Sequence, residues 1–239
     1  MKYKPYGERS ILIEWPQKID KTTLNDVLNF KKALQNKYAK QKVYINSAYC
    51  SILISYDTTI NNIYDRISDI KRQYSKEFGH DKSTYNLWRI PVCYDDYFAL
   101  DLDELSEVKK CDKSEIIRRH CEAVYTVYFI GFLPGFLYLG GLHKNLHMPR
   151  KAKPRLNLLG GAVGIGGQQT GIYPHDGPGG WNIIGNSPVD LFKADQDKPC
   201  FAKAGDRVQF YKVTLEEHQK IKALEATGFY KLESEVIDD

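Results

Sequence analysis

Fourteen of the 18 glycines of this 239-residue chain fall between Gly131 and Gly185, together with Pro134, Pro149, Pro154, Pro174 and Pro178. Glycine inside a helix or strand is destabilising by about 0.5–1 kcal/mol relative to alanine, so this density points to special backbone geometry or close approach of a ligand. From Tyr125 to Tyr211 the chain reads as short apolar runs broken by Gly and Pro, the pattern of a β-barrel or sandwich. The stretch 131–185 also holds Lys144, Arg150, Lys151, Lys153 and Arg155 against one carboxylate, Asp176. Any ligand bound there is expected to be anionic.

The first 84 residues have another character. Ser10-Ile-Leu-Ile-Glu-Trp15 reads as a strand, and Leu24, Val27, Leu28, Leu34 and Tyr38 keep a near-3.6 period over 22–39, predicting a helix. Val43 to Tyr56 predicts two short strands with a bend around Asn46-Ser47. Ile60, Ile63, Ile67, Ile70 and Tyr74 then form one helical stripe, ending near Phe78 with Gly79 as its terminator. With Tyr85 to Cys93 as a last strand, the order β-α-β-β-α-β is that of a split βαβ, ferredoxin-like module. A helix is expected over 102–123, with Asp112 and Glu115 in capping-box spacing, and another from Thr214 to about Ala226 with Glu217 in the same relation. The fold class expected is α+β: a small N-terminal α/β domain, residues 1–84, and a β-barrel domain with a C-terminal helix, residues 85–239.

Charge supports that division. Residues 1–86 carry 15 Lys/Arg against 9 Asp/Glu, whereas 87–239 carry 19 against 21. A formal net charge of +4 is too mild for a nucleic-acid protein, and the basic residues of the first part lie along amphipathic helices as solvated faces. The five cysteines are odd in number and widely spaced, with no C-x-x-C pair, which argues against structural disulfides or a zinc cluster. That usage suits a reducing cytosol. No leader-like N-terminal segment and no apolar run of the ~18 residues needed to span a bilayer is seen, so a soluble, cytoplasmic protein without membrane or nucleic-acid partners is expected.

Several catalytic motifs are excluded by their chemistry. Gly161-Ala-Val-Gly-Ile-Gly166-Gly-Gln has phosphate-loop glycine spacing but lacks the Lys-Ser/Thr that reaches phosphate and magnesium. The dinucleotide fingerprint fails because Gln169 stands at the third glycine, and no G-x-S-x-G elbow exists. His143 and His147 lack an H-E-x-x-H glutamate, so no metal site is assigned. What remains is a recognition chemistry. Arg150 and Arg155 each follow a proline and offer guanidinium forks for a carboxylate or phosphate. Gln169, Thr170 and Tyr173 add an amide, a hydroxyl and a phenol, Gly164, Gly166 and Gly167 allow close backbone contact, and Trp181 offers an indole to the same cleft. His120 and His175 are the acid–base candidates; Cys121 has no activating partner and reads as a small buried residue.

In order, Tyr128-Phe-Ile-Gly-Phe-Leu-Pro-Gly-Phe-Leu-Tyr-Leu-Gly-Gly-Leu142, Pro149-Arg150 and Pro154-Arg155, Gly161 to Pro174, Pro178-Gly-Gly-Trp-Asn-Ile-Ile-Gly185, Leu191-Phe192, Pro199 and Gly205-Asp-Arg-Val-Gln-Phe210 resemble the allophanate hydrolase subunit 1 family. The resemblance implies a small α/β domain followed by a cyclophilin-like β-barrel. It implies a homologous partner, of the kind of allophanate hydrolase subunit 2 or the C component of 5-oxoprolinase, and a lactam-utilisation protein. It also implies an ATP- and magnesium-dependent complex that opens 5-oxoproline to glutamate, with this chain a hydrolase subunit inactive alone. Related chains suggest two alternatives: inhibition of a sensor histidine kinase, or the carboxyltransferase part of a urea-carboxylase-like enzyme. This sequence has Ala162, Gly177 and Asn186-Ser187 where the family commonly has Ser, Ser and Arg-Thr, so fewer polar groups face a ligand.

Overall fold

Alternating burial along Ser10–Glu14 and Ser51–Tyr56 shows why the first segment folds as it does. Ile11, Ile13, Ile52 and Ile54 are wholly buried and meet Val27, Phe30, Leu34 and Ile70 in one core. This computed structural model describes residues 1–75 and 84–238, and the chain divides into two compact units, Met1–Ser83 and Thr84–Asp239. The first unit runs β1 (Lys2–Pro5), β2 (Ser10–Glu14), α1 (Lys21–Lys37), β3 (Val43–Ala48), β4 (Ser51–Tyr56) and α2 (Ile63–Tyr74). Its four strands form an antiparallel sheet in the order β1-β2-β4-β3. Asp20 caps α1 through the Thr23 amide at 2.9 Å, and Asn62 caps α2 through the amides of Tyr64 and Asp65. Gly79 lies outside the described residues.

Two expectations are corrected here. The β3–β4 turn falls at Tyr49–Cys50, because β3 stays in register from Val43↔Tyr56 through Ala48↔Ser51. Asn46 is an exposed residue of an edge strand, so its polarity marks a solvent face and not a bend. The segment from Thr84 to Cys93 does not complete the first sheet; β1, unforeseen in the sequence, takes that sheet's edge.

The second unit contains β5 (Thr84–Cys93), α3 (Leu102–Lys109), α4 (Lys113–Glu122), β6 (Val124–Ile130), β7 (Leu137–Gly140), a 3-10 turn (Lys144–Leu146), β8 (Arg155–Leu158), β9 (Ala162–Gly166), β10 (Gln169–Ile172), β11 (Gly177–Gly179), β12 (Asn182–Asn186), β13 (Arg207–Val213), α5 (Leu215–Ala226) and β14 (Glu233–Asp238). Seven strands close a barrel, β5-β12-β9-β10-β7-β6-β13, with β13 and β5 parallel. Closure depends on the pair Asn186↔Cys93. There a Cβ on Gly185 would stand 2.6 Å from the Cys93 carbonyl oxygen, so glycine lets the last two strands meet. β14 extends the sheet beyond β5, and β8 pairs with β11 in a separate ribbon. Ile90, Val92, Tyr125, Leu139, Ile165 and Val208 fill the barrel.

The single helix expected over 102–123 is two. Lys110 is left-handed at φ 50, and Cys111 and Asp112 separate α3 from α4. Asp112 precedes α4 but makes no capping bond, and Glu115 pairs instead with Arg118 and Arg119. The capping box of α5 is complete: Thr214 Oγ1 accepts the Glu217 amide, and Glu217 accepts the Thr214 amide at 2.7 Å.

Candidate functional site

The aromatic residues of the glycine-rich stretch converge at one place. Phe136, Tyr173 and Trp181 meet edge to face, with centroids 5.5 Å (Phe136–Tyr173), 5.5 Å (Phe136–Trp181) and 6.3 Å (Tyr173–Trp181) apart. Such contacts add about 0.5–1.5 kcal/mol each beyond burial and fix ring orientation. Tyr138 of β7 leans on Phe136 and stacks on Phe129 at 4.1 Å. Glycines make room: a Cβ on Gly166 would stand 2.3 Å from the Trp181 indole, and one on Gly164 3.1 Å from the Trp181 Cβ.

Over these rings opens a cleft of about 150 Å³, lined by Phe132, Phe136, Tyr138, Arg150, Tyr173, Pro178, Gly179, Gly180 and Trp181. No carboxylate lines it. Arg150 holds its guanidinium 5.8 Å from the Trp181 ring centre and forms no ion pair among the described residues. Phe132, at the mouth, is 70% exposed and left-handed at φ 68. Such backbone strain in a non-glycine residue is concentrated at ligand sites. A cationic fork over a wall of rings suits a small anion with an apolar body.

Arg150, Tyr173 and Trp181 are thus the predicted site residues that the structure brings together. The others lie elsewhere. Arg155 is corrected from a ligand grip to a structural cation. It makes a two-pronged pair with the buried Asp101, Nη1 to Oδ2 at 2.8 Å and Nη2 to Oδ1 at 2.7 Å. Asp101 also receives Lys151 Nζ at 2.7 Å and the Ile183 amide at 2.7 Å. Burial pushes the Asp101 carboxyl up, but these donors outweigh it and hold the group below the usual range. Gly164 and Gly166 are closed to a ligand by Trp181, whereas Gly167 is exposed, with open space beside it, and bonds Met148. Gln169 is half-buried on β10 opposite Gly166, and His175 is exposed beside Phe192; neither lines the cleft.

His120 and Thr170 are completely buried inside the barrel. Thr170 Oγ1 donates to the Gly164 carbonyl at 3.0 Å, which uses its only hydrogen. His120 Nε2 must then donate to Thr170 Oγ1, 2.9 Å away, leaving Nδ1 to accept from the Tyr94 hydroxyl at 2.7 Å. Burial pushes His120 down to about 3, so it is neutral in this network. That corrects its reading as an acid–base group: it ties the helix α4 to β10 and faces no cleft.

The departures from the family pattern also have structural places. Ala162 is buried with the ring cluster, and Gly177 has open space beside it. Asn186 donates to the Gly160 carbonyl at 3.0 Å and accepts from His218 Nε2 at 2.8 Å. Sequence reasoning passed over Phe132, Phe136 and Tyr138, although the run Phe132-Leu-Pro-Gly-Phe136 was visible. Nothing in the sequence singled out Asp101. No group of three or more His, Cys, Asp or Glu that could hold a metal occurs among the described residues.

The model of the carboxyltransferase domain, subdomain C and D, matches residues 1–202. The 5-oxoprolinase B subunit of Bacillus subtilis is 34% identical over 187 residues, covering 73% of this chain and 77% of that protein. The corresponding B subunit of Haemophilus influenzae is 49% identical over 121 residues, 51% of this chain and 57% of that protein, so the match spans little more than half its length. The urea carboxylase of Kluyveromyces lactis superposes with a TM-score of 0.81 at 21% identity, over 99% of this chain and 24% of that one, and shares the fold.

Proposed function

From the premise that this chain belongs to the carboxyltransferase domain family, subdomain C and D, we propose that it is one subunit of an ATP-dependent 5-oxoprolinase. The similarity to the B subunits of bacterial 5-oxoprolinases supports this reading. The observation that carries it is the cleft itself: five aromatic residues and Arg150, which forms no ion pair among the described residues, with no carboxylate. Such a cleft binds and orients a small anionic ring but has no general base to activate water. A homologous second subunit, with a lactam-utilisation protein, supplies that base and the ATP–magnesium site. In the complete complex, transfer of the ATP γ-phosphoryl to the lactam oxygen would release ADP and make the ring carbon electrophilic; water would add there, the C–N bond would break to leave an acyl phosphate, and a second water would release phosphate and glutamate.

The exposed apolar residues Phe132, Leu156 and Leu159 support docking of such a partner. An inhibitor of a sensor histidine kinase would use the same rim and not the cleft. Five free cysteines fit a reducing, cytoplasmic setting, and no helix among the described residues is long and apolar enough to cross a membrane.

The test is 5-oxoproline-dependent ATP hydrolysis by the chain co-purified with its partner subunits. Arg150→Gln is expected to lower kcat/KM about tenfold to a hundredfold, the value of a hydrogen bond to a charged group. A complex carrying Arg150→Gln with wild-type kinetics would sink the assignment of the cleft. Kinase inhibition that survives Arg150→Gln would place that activity on the rim.

A further inference from the structure

The cleft has a polarity of its own. Tyr173 is 4% exposed, yet it lines the opening. Gly179 packs against its phenol oxygen so closely that a Cβ there would stand 2.6 Å from it. The hydroxyl donates to no group among the described residues. A phenol has one hydrogen to give, and here it is left for whatever enters the cleft. Burial raises the Tyr173 pKa, so the proton stays on at neutral pH.

Arg150 is the second pole. It lines the same opening, with its guanidinium 5.8 Å from the Trp181 ring centre. The rings of Phe136, Tyr138 and Trp181 line the opening with them.

We infer that the cleft is a subsite for a small, flat, anionic ring compound bearing a carbonyl, in which the Tyr173 hydroxyl donates to the carbonyl oxygen and Arg150 faces the carboxylate. Tyr173 is then the specificity-determining residue, since it distinguishes a ring with an acceptor from one without. The cleft volume of about 150 Å³ equals about five waters at ~30 Å³ each. It falls below the ~300–1,000 Å³ of sites for drug-sized ligands, so it suits a small acid better than a nucleotide. The ATP of the proposed reaction is then held by another surface of the complex. The inference rests on the proposed function only in taking the lactam acid as the ring compound.

Two acids of the same ring size separate the contributions: 5-oxoproline, and cyclopentanecarboxylate, which keeps the carboxylate and lacks the lactam. A buried donor left unpaired costs about 1–3 kcal/mol, which corresponds to about fivefold to a hundredfold in affinity. Titration of the full chain, followed by tryptophan fluorescence, is expected to show cyclopentanecarboxylate binding at least fivefold more weakly. Tyr173→Phe, with an unchanged melting curve, is expected to remove this discrimination and bring the two acids to similar affinity. Arg150→Gln is expected to weaken both. Equal affinity of the wild-type chain for the two acids, no binding of either at millimolar concentration, or discrimination that survives Tyr173→Phe would each overturn the inference. The wild-type comparison decides even where the variant fails to fold. Failure of the proposed function would be separate: the full complex would show no 5-oxoproline-dependent ATP hydrolysis while the chain still discriminated between the acids.

Discussion

Arg150 and Arg155 stand five residues apart, each after a proline, and their sequence contexts are nearly equivalent. One is left for a ligand and the other is consumed, because Asp101 approaches from 54 residues away and takes Arg155 into a two-pronged pair. Local sequence carries no trace of that choice. Asp101 is 2% exposed and also binds Lys151 and the Ile183 amide, so its carboxylate joins the start of α3 to β12 and to the cleft's basic loop. Asp101→Asn is expected to destabilise the chain by about 3 kcal/mol, toward the lower end for a broken buried ion pair because Arg155 and Lys151 are partly exposed. Urea unfolding of the variant measures this, and an unchanged midpoint would show the pair contributes nothing net.

At the scale of elements, periodicity made α1 and α2 legible and the Thr214–Glu217 spacing made α5 legible, while the caps Asp20 and Asn62 emerged only from the structure. The break between α3 and α4 was not, because Lys110 takes a left-handed conformation that its residue type does not announce. β1 and β14 were missed for a related reason. Both are short or polar edge strands whose pairing is dictated by the strand beside them. The glycines were visible as a cluster, but their individual reasons were not. Gly161 has φ +83, and a Cβ there would lie 2.1 Å from the Ser187 carbonyl oxygen; Gly167 has φ +65 with open space. Gly161→Ala is expected to cost about 3 kcal/mol or more, by clash and strain together. Gly167→Ala should cost about 1–2 kcal/mol, from handedness alone. Thermal melts of the two variants compare them directly, and equal losses would refute the steric account.

At the scale of the molecule, the buried polar network sets the acid limit of stability. His120 is pushed down to about 3 by burial, and His218 to about 4 by burial and by Lys222. Tyr94, Tyr125, Cys121 and Thr170 face His120 with no carboxylate among them to favour a charge. A depressed histidine pKa leaves stability intact above the ordinary value of ~6.5, and lets it drain away as pH falls, because only the unfolded chain takes up the proton. Melting temperature is therefore expected to be flat above pH 7 and to fall steadily from about 6.5 to 4. A flat curve across that range would contradict the buried, neutral His120. The sequence by itself determined the α+β class, the barrel with its glycine-rich strands, the family and the cleft's basic, carboxylate-poor character, because composition, period and motif order are properties of local chain. Only the tertiary structure decided which arginine stays unpaired, which histidine is sealed in the barrel and which tyrosine lines the cleft. Those outcomes depend on partners brought from distant strands, and burial assigns each polar group one partner and denies it others.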